Sequence, residues 1–129
     1  MRFTLIATLL FAGQAAAQEP PLLRFVGPDS AMNVSVEKLV QVQSAQDGDR
    51  SILLVEMGDV AGKRFAALTE QSEGESMTVH LCGRAFVTIT SAGRIDGGKV
   101  IVPAPDLAFA DTAAEVLRGE TPCSDVLSF

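Results

Sequence analysis

The spacing of apolar positions changes several times along this chain. Residues 34–43 alternate, with Val34, Val36, Val40 and Val42 on one side and Ser35, Gln41 and Gln43 on the other. Lys38 interrupts the apolar set. The pattern predicts a short turn followed by a strand over 39–44. Asp47-Gly48 is a hairpin signal, because glycine tolerates positive φ. A second strand is expected over 51–57, with Leu53, Val55 and Met57 on one face and Ile52 and Leu54 on the other. Both faces are apolar, so this strand is expected at the centre of a sheet.

The period then lengthens. Ala61, Phe65 and Leu68 recur at helical spacing, while Lys63, Arg64 and Glu70 point elsewhere. This predicts a helix over 60–71, with Asp59 able to cap its start. Three strands follow, over 76–82, 85–90 and 99–102. In the first, Met77, Val79 and Leu81 share a face, and Thr78, His80 and Cys82 share the other. The Cys82-Gly83-Arg84 step is short enough for a hairpin, and Pro103-Ala104-Pro105 ends the last strand. A second helix is expected over 107–118, capped by Asp106 and closed by Gly119. Its stripe would be Leu107, Ala110, Ala114 and Leu117. Residues 121–129 read as a tail. The order predicts an α+β fold: a mostly antiparallel sheet of about five strands with two helices packed on one face.

The N-terminus has a different logic. Arg2 is the only charge in residues 1–17, residues 3–12 are almost wholly apolar, and Ala15-Ala16-Ala17 follows a Gly13-Gln14 break. A basic start, a short apolar middle and small residues at the end form a secretory signal, with cleavage expected between Ala17 and Gln18. The apolar run is about half of the roughly 20 residues that span a bilayer, and no later segment is longer. The chain therefore divides into a cleavable signal over 1–17, a proline-rich flexible segment over 18–33 and a single domain over 34–129. Localisation is expected to be periplasmic or secreted, with no stable membrane insertion after cleavage.

Charge narrows the partners. The formal net charge of the 129 residues is -6, and loss of Arg2 would make it one unit more negative. There is no basic patch, which argues against nucleic acid and against anionic lipid. Cys82 and Cys123 are the only cysteines. In an exported chain they are expected to pair as a disulfide. Such a bond would close a loop of roughly 40 residues and contribute about 4 kcal/mol.

No catalytic set stands out. His80 is the only histidine, and a half-exposed strand position explains it without chemistry. Two cysteines and one histidine are too few for a closed zinc site. Gly97-Gly98-Lys99 lacks the remaining spacing of a phosphate loop and reads as a turn. Glu70, Glu73 and Glu75 lack the alternating ligand pattern of a calcium loop. No catalytic residue, cofactor or metal is expected.

Over residues 51–118 the chain resembles the head subdomain of the first periplasmic domain of SecD/SecDF, the membrane subunit that assists protein export. That family has an apolar strand, a basic helix start and a Phe-Ala-x-Leu-Thr run. Here these are Leu53, Val55 and Met57, then Lys63 and Arg64, then Phe65, Ala66, Leu68 and Thr69. The family's Asp-Gly after the next strand is matched by Cys82-Gly83. Its Ile and Gly-Gly are matched by Ile95, Gly97 and Gly98, and its closing helix by Ala110, Ala113, Ala114, Leu117 and Arg118. Thr88 and Ile89 stand where the family has Ala-Pro, and Pro105 stands where it has Phe. The resemblance implies the head fold and a capacity to bind peptide or protein, without the transmembrane motor, and with the export signal it makes exported polypeptides or an envelope protein the expected partners.

The expected function is a non-catalytic, periplasmic protein- or peptide-binding accessory module. Two other readings stay open: a small secreted hydrolase with an unrecognised site, and a disulfide-stapled structural or inhibitory protein.

Overall fold

A computed structural model describes residues 22–129. The expected cleavage point at Ala17 and Gln18 lies outside the described residues. The described chain is α+β. It comprises β1 (Leu23–Val26), β2 (Ala31–Val34), a 3-10 turn (Val36–Lys38), β3 (Leu39–Asp47) and β4 (Arg50–Met57). Helix α1 (Asp59–Gln71), β5 (Ser76–Leu81), β6 (Arg84–Thr90) and β7 (Lys99–Ala104) follow. Helices α2 (Leu107–Leu117) and α3 (Cys123–Leu127) complete it. The strands form two sheets, in the orders β2-β1-β5-β6 and β3-β4-β7. Every pairing is antiparallel.

The strand count differs from the sequence expectation because 18–33 is not all tether. β1 and most of β2 lie in that stretch. β1 pairs with both β2 and β5, and Leu23 and Phe25 have no exposed surface. Strands of four residues are too short to show a period, and the Gly27-Pro28 step between them signals only a turn. The domain therefore begins earlier than residue 34.

The alternation of Val34, Val36, Val40 and Val42 also resolves differently. Val34 ends β2, Val36 opens the 3-10 turn, and only Val42 of the other two is buried. The β3–β4 register slips between Leu39 and Gln41. A bulge leaves the extra residue unpaired and turns it aside, so Val40 is 65% exposed. β4 does occupy the centre of its sheet. Leu53, Val55 and Met57 face the core with both long helices, which pack against β4.

Helix α1 begins differently from the expectation. Gly58 is its N-cap, and Asp59 is its first residue rather than the cap. Its buried face includes Ala61, Phe65 and Leu68 as predicted, together with Gly62, Ala66 and Thr69. Phe65 packs against Phe25 of β1 with ring centroids 4.9 Å apart. At the opposite flank, Gly62 meets Gly98 at the entry to β7. A Cβ on Gly98 would stand 2.9 Å from the Met57 carbonyl oxygen, and Gly98 has φ +71°.

Thr69 fastens the connection between β6 and β7. Its buried hydroxyl accepts from the Ile95 N–H at 2.9 Å and lies 3.0 Å from the carbonyls of Phe65 and Ala66. Ser91 donates its hydroxyl to the Thr69 carbonyl at 2.7 Å.

In α2, Asp106 caps the Phe109 N–H at 2.8 Å, as the sequence suggests. Ala110, Ala114 and Leu117 are buried, but Leu107 is exposed at the helix start. The expected tail contains α3, whose Val126 is buried. Cys82 and Cys123 are joined, with Cα atoms 5.9 Å apart and a sequence separation of 41. Cys82 does not continue the strand alternation. With Gly83 it forms the β5–β6 turn, and both residues have positive φ. This matches the mirror-image hairpin turn that suits twisted strands.

Reduction should remove the loop constraint and lower stability by about 4 kcal/mol. Urea unfolding with and without reductant measures this. Gly97→Ala should cost about 1–2 kcal/mol for its left-handed backbone. Gly98→Ala should cost clearly more, because the new methyl also meets main chain; parallel thermal unfolding of the two variants separates these effects. Thr69→Val should lose about 1–3 kcal/mol by stranding the Ile95 N–H, and hydrogen exchange should quicken at that amide.

Candidate binding face

The outer face of the three-stranded sheet is the strongest candidate. It arises because β4 is apolar on both sides while both long helices pack toward the core. Cross-strand register arranges this face in rows. Gln41, Glu56 and Lys99 form one row, followed by Gln43, Leu54 and Ile101, and then Ala45, Ile52 and Pro103. Asp47 and Arg50 close the far end. A shallow depression of about 350 Å³ lies over Gln41, Gln43, Leu54, Glu56, Lys99 and Ile101.

Burial varies across these rows. Ile52 is buried, Leu54 is half-buried and Ile101 is 58% exposed. The accessible apolar surface therefore lies toward β7, at the sheet margin. Glu56 and Lys99 border it, and among the described residues neither forms an ion pair.

The other sheet presents a different outer face. Arg24 pairs across from Asn33 on one side and His80 on the other. The Arg24 guanidinium donates to Asn33 Oδ1 at 2.6 Å. Thr78 lies opposite Thr88, and Ser76 opposite Thr90. His80 is half-exposed in this polar surface, between Arg24 and Ala85.

The remaining sequence candidates have visible structural roles. Gly97-Gly98 leads into β7, and the Gly98 carbonyl accepts from the Met57 N–H at 2.8 Å. Glu70 bonds Arg94 at 2.9 Å, and Asp96 bonds the same guanidinium at 2.9 Å. Asp96 first, then Glu70, hold Arg94 above its ordinary pKa. The Glu37 carboxyl lies below its usual range, chiefly through its own backbone N–H and then the Ser35 hydroxyl. Among the described residues, no group of three or more His, Cys, Asp or Glu side chains could hold a metal.

A second depression, about 230 Å³, lies beside Phe86, Phe109 and Phe129. Phe109 contacts both other rings, with centroids 5.3 and 5.4 Å away. Arg84 closes one side by donating to the Leu127 carbonyl. This cluster joins α2 and α3 to the β5–β6 hairpin.

Sequence reasoning places Ile52 and Leu54 on the second face of a central strand. It misses Ile101 and the marginal position of β7. One signal was available: Val100-Ile101-Val102 runs directly into Pro103, and proline within a strand favours an edge.

Among the described residues, no helix is long and apolar enough to cross a membrane. No protein-family model and no curated protein matches the chain. Among the solved structures that share its fold are two of SecDF. One is the crystal structure of SecDF in its super-membrane-facing form, with a TM-score of 0.61 and 20% identity. That alignment covers 75% of this chain but only 14% of the other. The second is a structure of SecDF described as a membrane component that enhances protein export, with a TM-score of 0.64 and 15% identity. It covers 92% of this chain and 71% of the other. This chain therefore has a SecDF-like α+β fold.

Proposed function

We propose that this chain is a non-catalytic, exported module that binds extended or unfolded protein segments on the outer face of β3, β4 and β7. The observation that carries this reading is the accessible apolar margin at Leu54 and Ile101, beside a terminal strand of the sheet. Such a surface can desolvate apolar side chains while the neighbouring backbone selects an extended conformation. The secretory pattern over residues 1–17 supports work outside the cytoplasm, on exported polypeptides or an envelope protein. The SecDF-like fold supports a role connected with protein export. Binding on this face would use this chain's own residues and need no cofactor.

Fluorescence anisotropy with a permanently unfolded, reduced and carboxymethylated secretory protein tests the reading. The unfolded form should bind and its folded counterpart should not. Ile101→Gln should weaken binding about tenfold, since burying an aliphatic side chain is worth about 1.5–3 kcal/mol. Its fold should persist because Ile101 is largely exposed. Equal affinity for folded and unfolded forms, or an unchanged affinity in Ile101→Gln, would remove the basis for this function.

A further inference from the structure

The free edge of β7 gives the partner a chemistry. Asp47 and Arg50 flank a two-residue hairpin loop and form a hydrogen-bonded pair. Antiparallel pairs alternate between bonded and non-bonded. Arg50, Ile52, Leu54 and Glu56 therefore direct their backbone groups to β3, and the intervening β4 residues direct theirs to β7. Two bonds check this assignment. Met57 N–H donates to the Gly98 carbonyl on the β7 side. Across the sheet, the outward Val42 carbonyl of β3 accepts from Arg118 at 2.9 Å.

The same alternation turns Val100 and Val102 toward β4. It turns Lys99, Ile101 and Pro103 toward the open side, where among the described residues β7 pairs with no strand. The open side consequently offers the N–H and carbonyl groups of Lys99 and Ile101, followed by the Pro103 carbonyl. Pro103 has no N–H, so the ladder is short. The side chains of these three residues lie on the outer face.

We infer that β7 accepts an added antiparallel strand with the pattern apolar-x-apolar-x-acidic, read from its N-terminus to its C-terminus. This inference rests on the peptide-binding reading and specifies the segment. The residue opposite Ile101 exchanges two backbone bonds with it and packs beside its side chain. Two positions later, an acidic residue exchanges two bonds with Lys99 and meets its ammonium, which forms no ion pair among the described residues. Two positions earlier, an apolar residue donates to the Pro103 carbonyl.

β4 presents the same chemical order on its own side of β7, in non-hydrogen-bonded pairs. Ile52, Leu54 and Glu56 oppose Pro103, Ile101 and Lys99, respectively. An incoming segment would repeat the same chemical order on the other side of β7. A second copy of β7 fits less well. Symmetric pairing about Ile101 would put Pro103 opposite Lys99, supplying no carboxylate and losing an N–H bond at both ends. The β3 edge is partly occupied, because Arg118 takes the outward Val42 carbonyl.

Three labelled peptides test this partner. The first contains Ile-Thr-Leu-Thr-Glu, the second replaces Glu with Lys, and the third N-methylates the Leu amide. Fluorescence anisotropy at low ionic strength should show roughly fivefold weaker binding for the Lys peptide. The N-methylated peptide should lose binding, because it lacks the donor to the Ile101 carbonyl. The exposed variant Lys99→Glu should prefer the Lys peptide, while circular dichroism remains unchanged.

Equal binding of all three peptides would overturn strand addition. If the unfolded secretory protein still bound, the broader function would survive that result. Absence of binding to both peptide and unfolded protein would overturn both readings. Sedimentation velocity provides another check: a dimer that the Glu peptide cannot dissociate, and that Ile101→Gln abolishes, would assign the edge to a second copy.

Discussion

The docking of α1 is the contact on which the two sheets depend. Phe65 inserts beside Phe25 of the four-stranded sheet, while Gly62 meets Gly98 at the entry to the three-stranded sheet. One helix therefore joins both layers into a shared core. The glycine contact permits a backbone approach that a β-carbon would block. Thr69 and Ser91 hold the connection between the sheets against the other end of the same helix. The Phe-Ala-x-Leu-Thr run thus has a physical meaning: one aromatic fills the core, and one hydroxyl satisfies a loop amide.

This arrangement positions the candidate binding face without needing side chains from a loop. β7 starts at the Gly98 contact and ends near the cap of α2. Its inward residues Val100 and Val102 anchor it in the core. Ile101 is then left at an accessible margin. At the opposite edge, Arg118 occupies a β3 carbonyl. The two edges of one sheet consequently differ in how much backbone they offer to another chain. The disulfide serves a separate purpose, joining the C-terminal α3 to the β5–β6 turn.

The outer faces of the sheets are chemically unlike. Arg24, Asn33, Thr78, His80 and Thr88 form a polar surface with its own hydrogen bond. Water can solvate such a surface without a protein partner. Leu54 and Ile101 offer surface whose burial is favourable, and the adjacent backbone can supply direction. This difference, rather than the presence of His80, makes the β3–β4–β7 face the better functional candidate.

Local sequence signals were sufficient for α1, α2, the later strands and the central place of β4, because burial there follows regular helical or alternating spacing. The two cysteines, expected to pair in an exported chain, are joined in the structure. Short β1 and β2 escaped this reasoning, since four residues display little period and their neighbours decide their burial. The bulge at Val40 likewise depends on register with β4. Residues such as Leu54 and Ile101 were visible as apolar from the beginning. Only tertiary structure decided that Leu54 lies half-buried in the middle of the outer face and Ile101 at its open edge, because exposure depends on which strands and helices complete the sheet.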